Sequence, residues 1–219
     1  MIRTANHQAN DECEIMFQEA YTKLDLADVA TILDQVNPAF DGGNFDPVET
    51  TIMAVDMPFY PGYRFLEISN HSVSPPMERF VVYSPENFTV LDFSNEPIYA
   101  LNKDVPILLD DSTVCEYVRF FFTHVRGRHG RFLISEGVDD IQWKEEPPPA
   151  ARKAIGKMLK VLDIKEKGKD GSYKMEATMM FKDSLFKSDV EVSPEGAVSL
   201  VNEELLVEDM PVLDDTFGQ

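Results

Sequence analysis

Six consecutive residues, Arg126-Gly127-Arg128-His129-Gly130-Arg131, carry the densest set of chemically able side chains in the sequence. Three guanidiniums can fork onto carboxylate or phosphate oxygens. Two glycines give the backbone freedom to wrap a small anion. In that reading Arg126, Arg128 and Arg131 hold an anionic metabolite and His129 is the acid or base. The location weighs against it. The apolar run before the turn reads as a helix, and a helix C-terminus presents carbonyl oxygens, which repel an anion. The plainer reading is a solvated basic turn whose arginines pair with the chain's own carboxylates.

Cys115 and His124 suggest a nucleophile and its base. On a helix, nine residues separate them by about 13 Å along the axis, too far for a hydrogen bond. Cys115 is therefore expected to be an inert core thiol. The phosphate-binding, nucleophile-elbow and zinc motifs are all missing from the sequence. No metal and no cofactor are expected. Adjacent acids occur at Asp110-Asp111, Asp139-Asp140, Glu145-Glu146, Glu203-Glu204 and Asp214-Asp215. Such pairs can bind a divalent cation or do acid–base work. None has calcium-loop spacing, and among 39 acids some adjacency is expected, so they read as surface. The bases from Arg152 to Lys174 are interspersed with acids and read as a solvated face.

The charge balance is the unusual total. In 219 residues, 39 acids oppose 20 bases, a net charge of −19. Residues 1–118 hold 20 acids and 5 bases, whereas residues 119–219 hold 19 and 15. Phosphate contacts need clustered lysine and arginine, so nucleic acid is not an expected partner. An anionic membrane surface is excluded on the same ground, and no run reaches the length of a membrane span. A basic protein is the natural partner. Two cysteines, Cys13 and Cys115, are too few for a secreted disulfide scaffold. With no signal-peptide pattern at the start, both thiols are expected reduced and the chain cytoplasmic. The sequons at Asn70 and Asn87 are then chance.

The elements that position these residues follow from periodicity. Residues 15–36 show a helical pattern, with Leu26, Val29, Leu33 and Val36 on one face, ended by Asn37-Pro38. "TTIMAVDMPF", "YRFLEIS", "ERFVVYS", "NFTVLDF", "PIYAL" and "VPILL" read as successive strands of an antiparallel meander. "TVCEYVRFFFTHV" reads as a buried helix. Thr113 and Glu116 are expected to form a capping box. His124 and Arg126 are placed where positive charge suits the helix end, with Gly127 as its left-handed terminator. "RFLIS" reads as the strand after it.

Beyond the proline-rich connector the signals are a short helix at 150–158, then strands with Asp-Gly and Glu-Gly turns. The fold class is α+β: an antiparallel strand-rich N-terminal part with two helices, then a short helix and a small antiparallel meander. The expected organisation is an α+β domain over 1–143, the connector over 144–149, and a helix plus meander over 150–206. A tail over 207–219 completes it. The meander can share one core with the first part, since so short a piece is marginal alone. Trp143, the single tryptophan, is expected to pack the two parts together.

The run Tyr117-x-x-Phe120-Phe121-x-x-x-Val125-x-Gly127, then His129-Gly130-x-Phe132, resembles uncharacterised bacterial proteins of the kind solved by structural-genomics projects. "LFKSDVEVSPEGAVSLVNEE" is similar to their C-terminal meander. The two runs cover about a fifth of the chain, and the resemblance implies no catalytic residue. The expected function is that of an acidic cytoplasmic binding or scaffold protein, more readily non-enzymatic than enzymatic. The alternative is a small enzyme or sensor acting on an anionic metabolite at the Arg126–Arg131 turn.

Overall fold

Asp25 makes the first structural decision. Its carboxylate accepts from the backbone N–H groups of Ala27 at 3.0 Å and Asp28 at 2.9 Å. These are donors that a helix N-terminus leaves without intrahelical partners. Helix α1 accordingly runs Leu26–Val36 and buries Val29, Ile32, Leu33 and Val36. The computed structural model describes residues 21–213. The expected start of this helix, at 15–20, lies outside them. Within them the helix begins later than its periodicity suggested, because Thr22–Lys23 is extended as strand β1.

Two antiparallel sheets follow from period-two patterning. The first joins β1 to β2 (Thr50–Asp56), β3 (Arg64–Asn70), β4 (Met77–Tyr83) and β5 (Phe88–Leu91), in sequential order. The second contains β6 (Phe132–Ile134), β7 (Asp163–Lys167), β8 (Tyr173–Phe181), β9 (Ser184–Val192) and β10 (Val198–Val207). Its order is β10-β9-β8, with β6 and β7 both on the far side of β8. Two helices, α2 (Glu96–Asp104) and α3 (Val114–His124), come between the sheets in the chain, and α4 (Pro149–Gly156) follows β6.

Alternation assigns the layers. Ile52, Ala54, Leu66, Ile68, Val81 and Tyr83 face one side of the first sheet and pack with α1, Phe40 and Phe45. Val55, Phe65 and Val82 face the other side and join α2 and α3. The same cluster takes in Tyr173, Met175, Ala177, Met179, Val190 and Val192 of the second sheet. Helix α3 is thus enclosed by both sheets, which explains why nine of its eleven residues are buried: a helix apolar on every side needs neighbours on every side. Met180 and Leu185, on the outer side of the second sheet, pack with Ile141, Leu159, Met210 and Val212. The molecule is α+β, and β6 pairs with β8 across the proline-rich connector.

Several local expectations are corrected. "PIYAL" lies in α2, not in a strand; Pro97 sits in the first turn, and Ile98 and Leu101 share a buried face at helical spacing. A five-residue apolar run carries too little periodicity to separate the two states. "VPILL" joins no ladder, and Leu108 N–H donates to Phe59 O at 3.0 Å. The capping box is not made. The Thr113 hydroxyl donates to Leu108 O at 2.7 Å, and Glu116 is buried instead of reaching back. Gly127 is not left-handed; the helix ends at an extended Val125, and Gly130 carries the positive φ of 131°.

The described part of the tail is held by contact: Leu213 N–H donates to Gln142 O at 2.7 Å. Val212 forms a bridge with Trp143, and the indole N–H donates to Val138 O at 3.3 Å. Cys115 is disulfide-bonded, which corrects its reading as a reduced thiol. Cys13, the sequence's other cysteine, lies outside the described residues. Among the described residues no helix is long and apolar enough to cross a membrane.

Candidate functional site

The basic turn is built as a two-residue hairpin. Gly127 N–H donates to Gly130 O at 2.7 Å, and Gly130 N–H returns the bond at 3.2 Å. Arg126 and Arg131 flank this bridge and are therefore neighbours. Arg128 and His129 occupy the exposed tip. The Arg126 N–H donates to Phe93 O at 2.8 Å, and its guanidinium lies 3.9 Å from the centroid of the Phe93 ring. That cation–π contact keeps it against the body of the protein. Phe93 adopts a left-handed φ of 66°. Arg131 is half-buried, with Nη1 3.4 Å from Thr123 O. Burial and the adjacent Arg126 charge hold its pKa below the usual arginine range.

Of the four residues with the chemical types for anion binding, Arg126 and Arg131 come together, and Arg128 and His129 are exposed at the tip. The adjoining cleft is lined by Arg131, Lys182, Ser135 and Gln142 against Leu133, Met180 and Val212. Its volume of about 30 Å³ is water-sized.

His124 does not complement the helix end. It is buried, with ring centroids 4.6 Å from Phe65, 4.8 Å from Phe120 and 5.5 Å from Phe80. Nδ1 donates to Phe120 O at 2.9 Å. Burial lowers its pKa to about 4, so at neutral pH it carries no charge to set against the dipole.

Sequence reasoning missed two polar nodes. Arg119 grips Glu136 with both ends of its fork, Nε to Oε2 at 3.1 Å and Nη2 to Oε1 at 2.7 Å. Glu136 also accepts from Leu162 N–H at 2.8 Å. The signal was Arg119 itself, the one arginine in an otherwise enclosed apolar helix. In the second node the Tyr60 hydroxyl donates to Asn102 Oδ1, and Asn102 Nδ2 donates to the Tyr117 hydroxyl at 3.0 Å. Tyr117 in turn donates to Gly196 O. Burial raises the pKa of both tyrosines, so they remain neutral donors. Both nodes join elements that sequence cannot pair, and they are committed to internal bonds.

The surface offers a different candidate. Between Lys23 and Arg64 the sequence has no lysine, arginine or histidine. Asp25, Asp28, Asp34, Asp41, Asp46 and Glu49 are all exposed there, on α1 and the loop that covers the same side of the first sheet. Among the described residues no ion pair involves any of the six. Arg79 is the base that approaches them, donating to the backbone Asp41 O at 3.0 Å. Leu26 (59% exposed) and Val48 (81% exposed) add apolar area beside the carboxylates.

Among the described residues no group of three or more His, Cys, Asp or Glu is placed to hold a metal ion. No family model matches the chain, and neither the curated proteins nor the solved structures contain a match.

Proposed function

We propose that this protein is an acidic, non-enzymatic binding module whose α1 layer engages a basic partner protein. The observation that carries the reading is the set of six exposed carboxylates that form no ion pair among the described residues. The ion pairs of the described residues draw on Arg119 and the bases after it, so the α1 layer keeps its field. Such a field steers a cationic partner and sets its orientation. Leu26 and Val48 supply contact area that charge alone does not. The same field repels phosphate backbones, so nucleic acid is not the partner. The reading does not require a cytoplasmic location, and a disulfide-bonded Cys115 fits an oxidising compartment better.

The test compares two charge reversals of equal size against a lysine-rich peptide. Asp28→Lys with Asp34→Lys strikes the α1 layer; Glu145→Lys with Glu208→Lys strikes exposed acids elsewhere. The first pair is expected to weaken binding by about tenfold more than the second. Equal weakening would reduce the effect to net charge and remove the α1 layer from the account.

A further inference from the structure

Strand β10 lies at the edge of the second sheet, with β9 on one side. At ten residues it is long for an edge strand. An uncovered edge offers unpaired N–H and C=O groups to any extended chain that approaches. Its first residue is closed, because the Tyr99 hydroxyl donates to Val198 O at 3.2 Å and accepts from Val198 N–H at 3.1 Å. Beyond Val198, none of the hydrogen bonds among the described residues caps that edge. Natural edges are commonly blunted by lysine, proline or a covering element. The sequence "VSLVNEELLV" has neither lysine nor proline. It has irregularities at Leu200/Asn202 and Leu205/Val207, and Asn202–Leu205 between them keeps regular register with β9.

The exposed side chains say what fits. Val201 (45% exposed) and Leu205 (49% exposed) are apolar, and Glu203 and Glu204 are exposed between them. Successive strand residues point to opposite faces, so the two glutamates place negative charge on both faces of the edge. Lys187, opposite Glu204 on β9, is held by Glu176 at 2.7 Å. A second copy pairing through β10 would set these glutamates against each other, and like charges opposed across strands are unfavourable. We propose that β10 accepts an extended, lysine- or arginine-rich segment of a partner protein as an added strand, with basic side chains on both faces and an apolar residue near Leu205. This rests on the basic-partner reading for its charge, and adds backbone pairing, which that reading does not need.

The experiment uses two peptides of one repeating Lys-Lys-Val-Val sequence, which puts lysine on both faces of a strand, one of them N-methylated at every second residue. Methylation removes backbone donors and keeps charge and side chains. Binding is measured by fluorescence anisotropy to the full chain and to two variants, Glu203→Lys with Glu204→Lys, and Asp28→Lys with Asp34→Lys. The expected result is that the unmethylated peptide binds at least about tenfold tighter than its methylated twin. The preference should disappear in the β10 variant, and amide protection should rise at Asn202–Leu205 of the wild type. Equal binding of the two peptides that is still lost on reversing the α1 layer would overturn strand addition and leave the α1 reading standing. No binding of either peptide would overturn both. Self-association through β10 that excludes the peptide would overturn the choice of partner.

Discussion

At Gly196 a single hydrogen atom in place of a side chain lets the turn between β9 and β10 dock on α2 and α3. The residue has φ of 78°, and a Cβ there would fall 2.5 Å from Asn102 Nδ2 and 3.0 Å from the Tyr117 hydroxyl. Gly196→Ala therefore meets backbone strain and steric overlap together. We expect a loss of about 2 kcal/mol, read from the denaturation midpoint; an unchanged midpoint would mean that this turn does not dock on Tyr117. His124 gives a pH signature. Its folded pKa, about 4, lies below its ordinary 6.5. Between those values the unfolded chain binds a proton that the folded chain refuses, so stability falls as pH drops through this window. The full effect is roughly 3 kcal/mol. His124→Phe should flatten the pH dependence there, and an unaltered slope would place the effect elsewhere. Glu116, whose pKa burial raises, acts in the opposite sense. At this scale the sequence revealed residue types but not their partners. Nothing in it says that Arg126 rests on Phe93, or that His124 is caged by phenylalanines from three elements.

Helix α3 was legible because its signal is long. Eleven residues with apolar side chains on every face specify burial whatever the neighbours are. Of the four strands from "TTIMAVDMPF" to "NFTVLDF", the first three were legible as seven-residue runs and the fourth, only four residues long, because turn residues bound it. "PIYAL" was not, because its length fits both states and tertiary packing decides. The ends of elements were misread where a side chain took an unexpected partner, as Thr113 did with Leu108 O. Arg119 must hold α3 to the segment after β6. Arg119→Met leaves the Glu136 carboxylate nearly enclosed without its guanidinium, which should cost about 3 kcal/mol; a change below about 1 kcal/mol would contradict the role given to the pair. The segment after β10 is equally structural. Met210 and Val212 are 5% and 3% exposed, and ending the chain after Val207 should lower Tm by about 5 °C or more. An unaltered Tm would show that the outer side of the second sheet is stable uncovered.

The layers give the whole molecule its asymmetry of charge. Bases and acids of the C-terminal half meet across the second sheet, as Lys187 does with Glu176. The α1 layer has acids that form no ion pair among the described residues. The imbalance between the halves was readable from the sequence; its gathering on one layer was not, because it depends on α1 and its loop covering the same side of the first sheet. The most direct measurement is the salt dependence of binding to a lysine-rich peptide, for the wild type and for Asp28→Lys with Asp34→Lys. Surface fields are screened within about 8 Å at physiological salt. The account predicts wild-type affinity that falls steeply with added salt, and a clearly shallower slope in the variant. Identical slopes for the two proteins, or wild-type binding indifferent to salt, would contradict it.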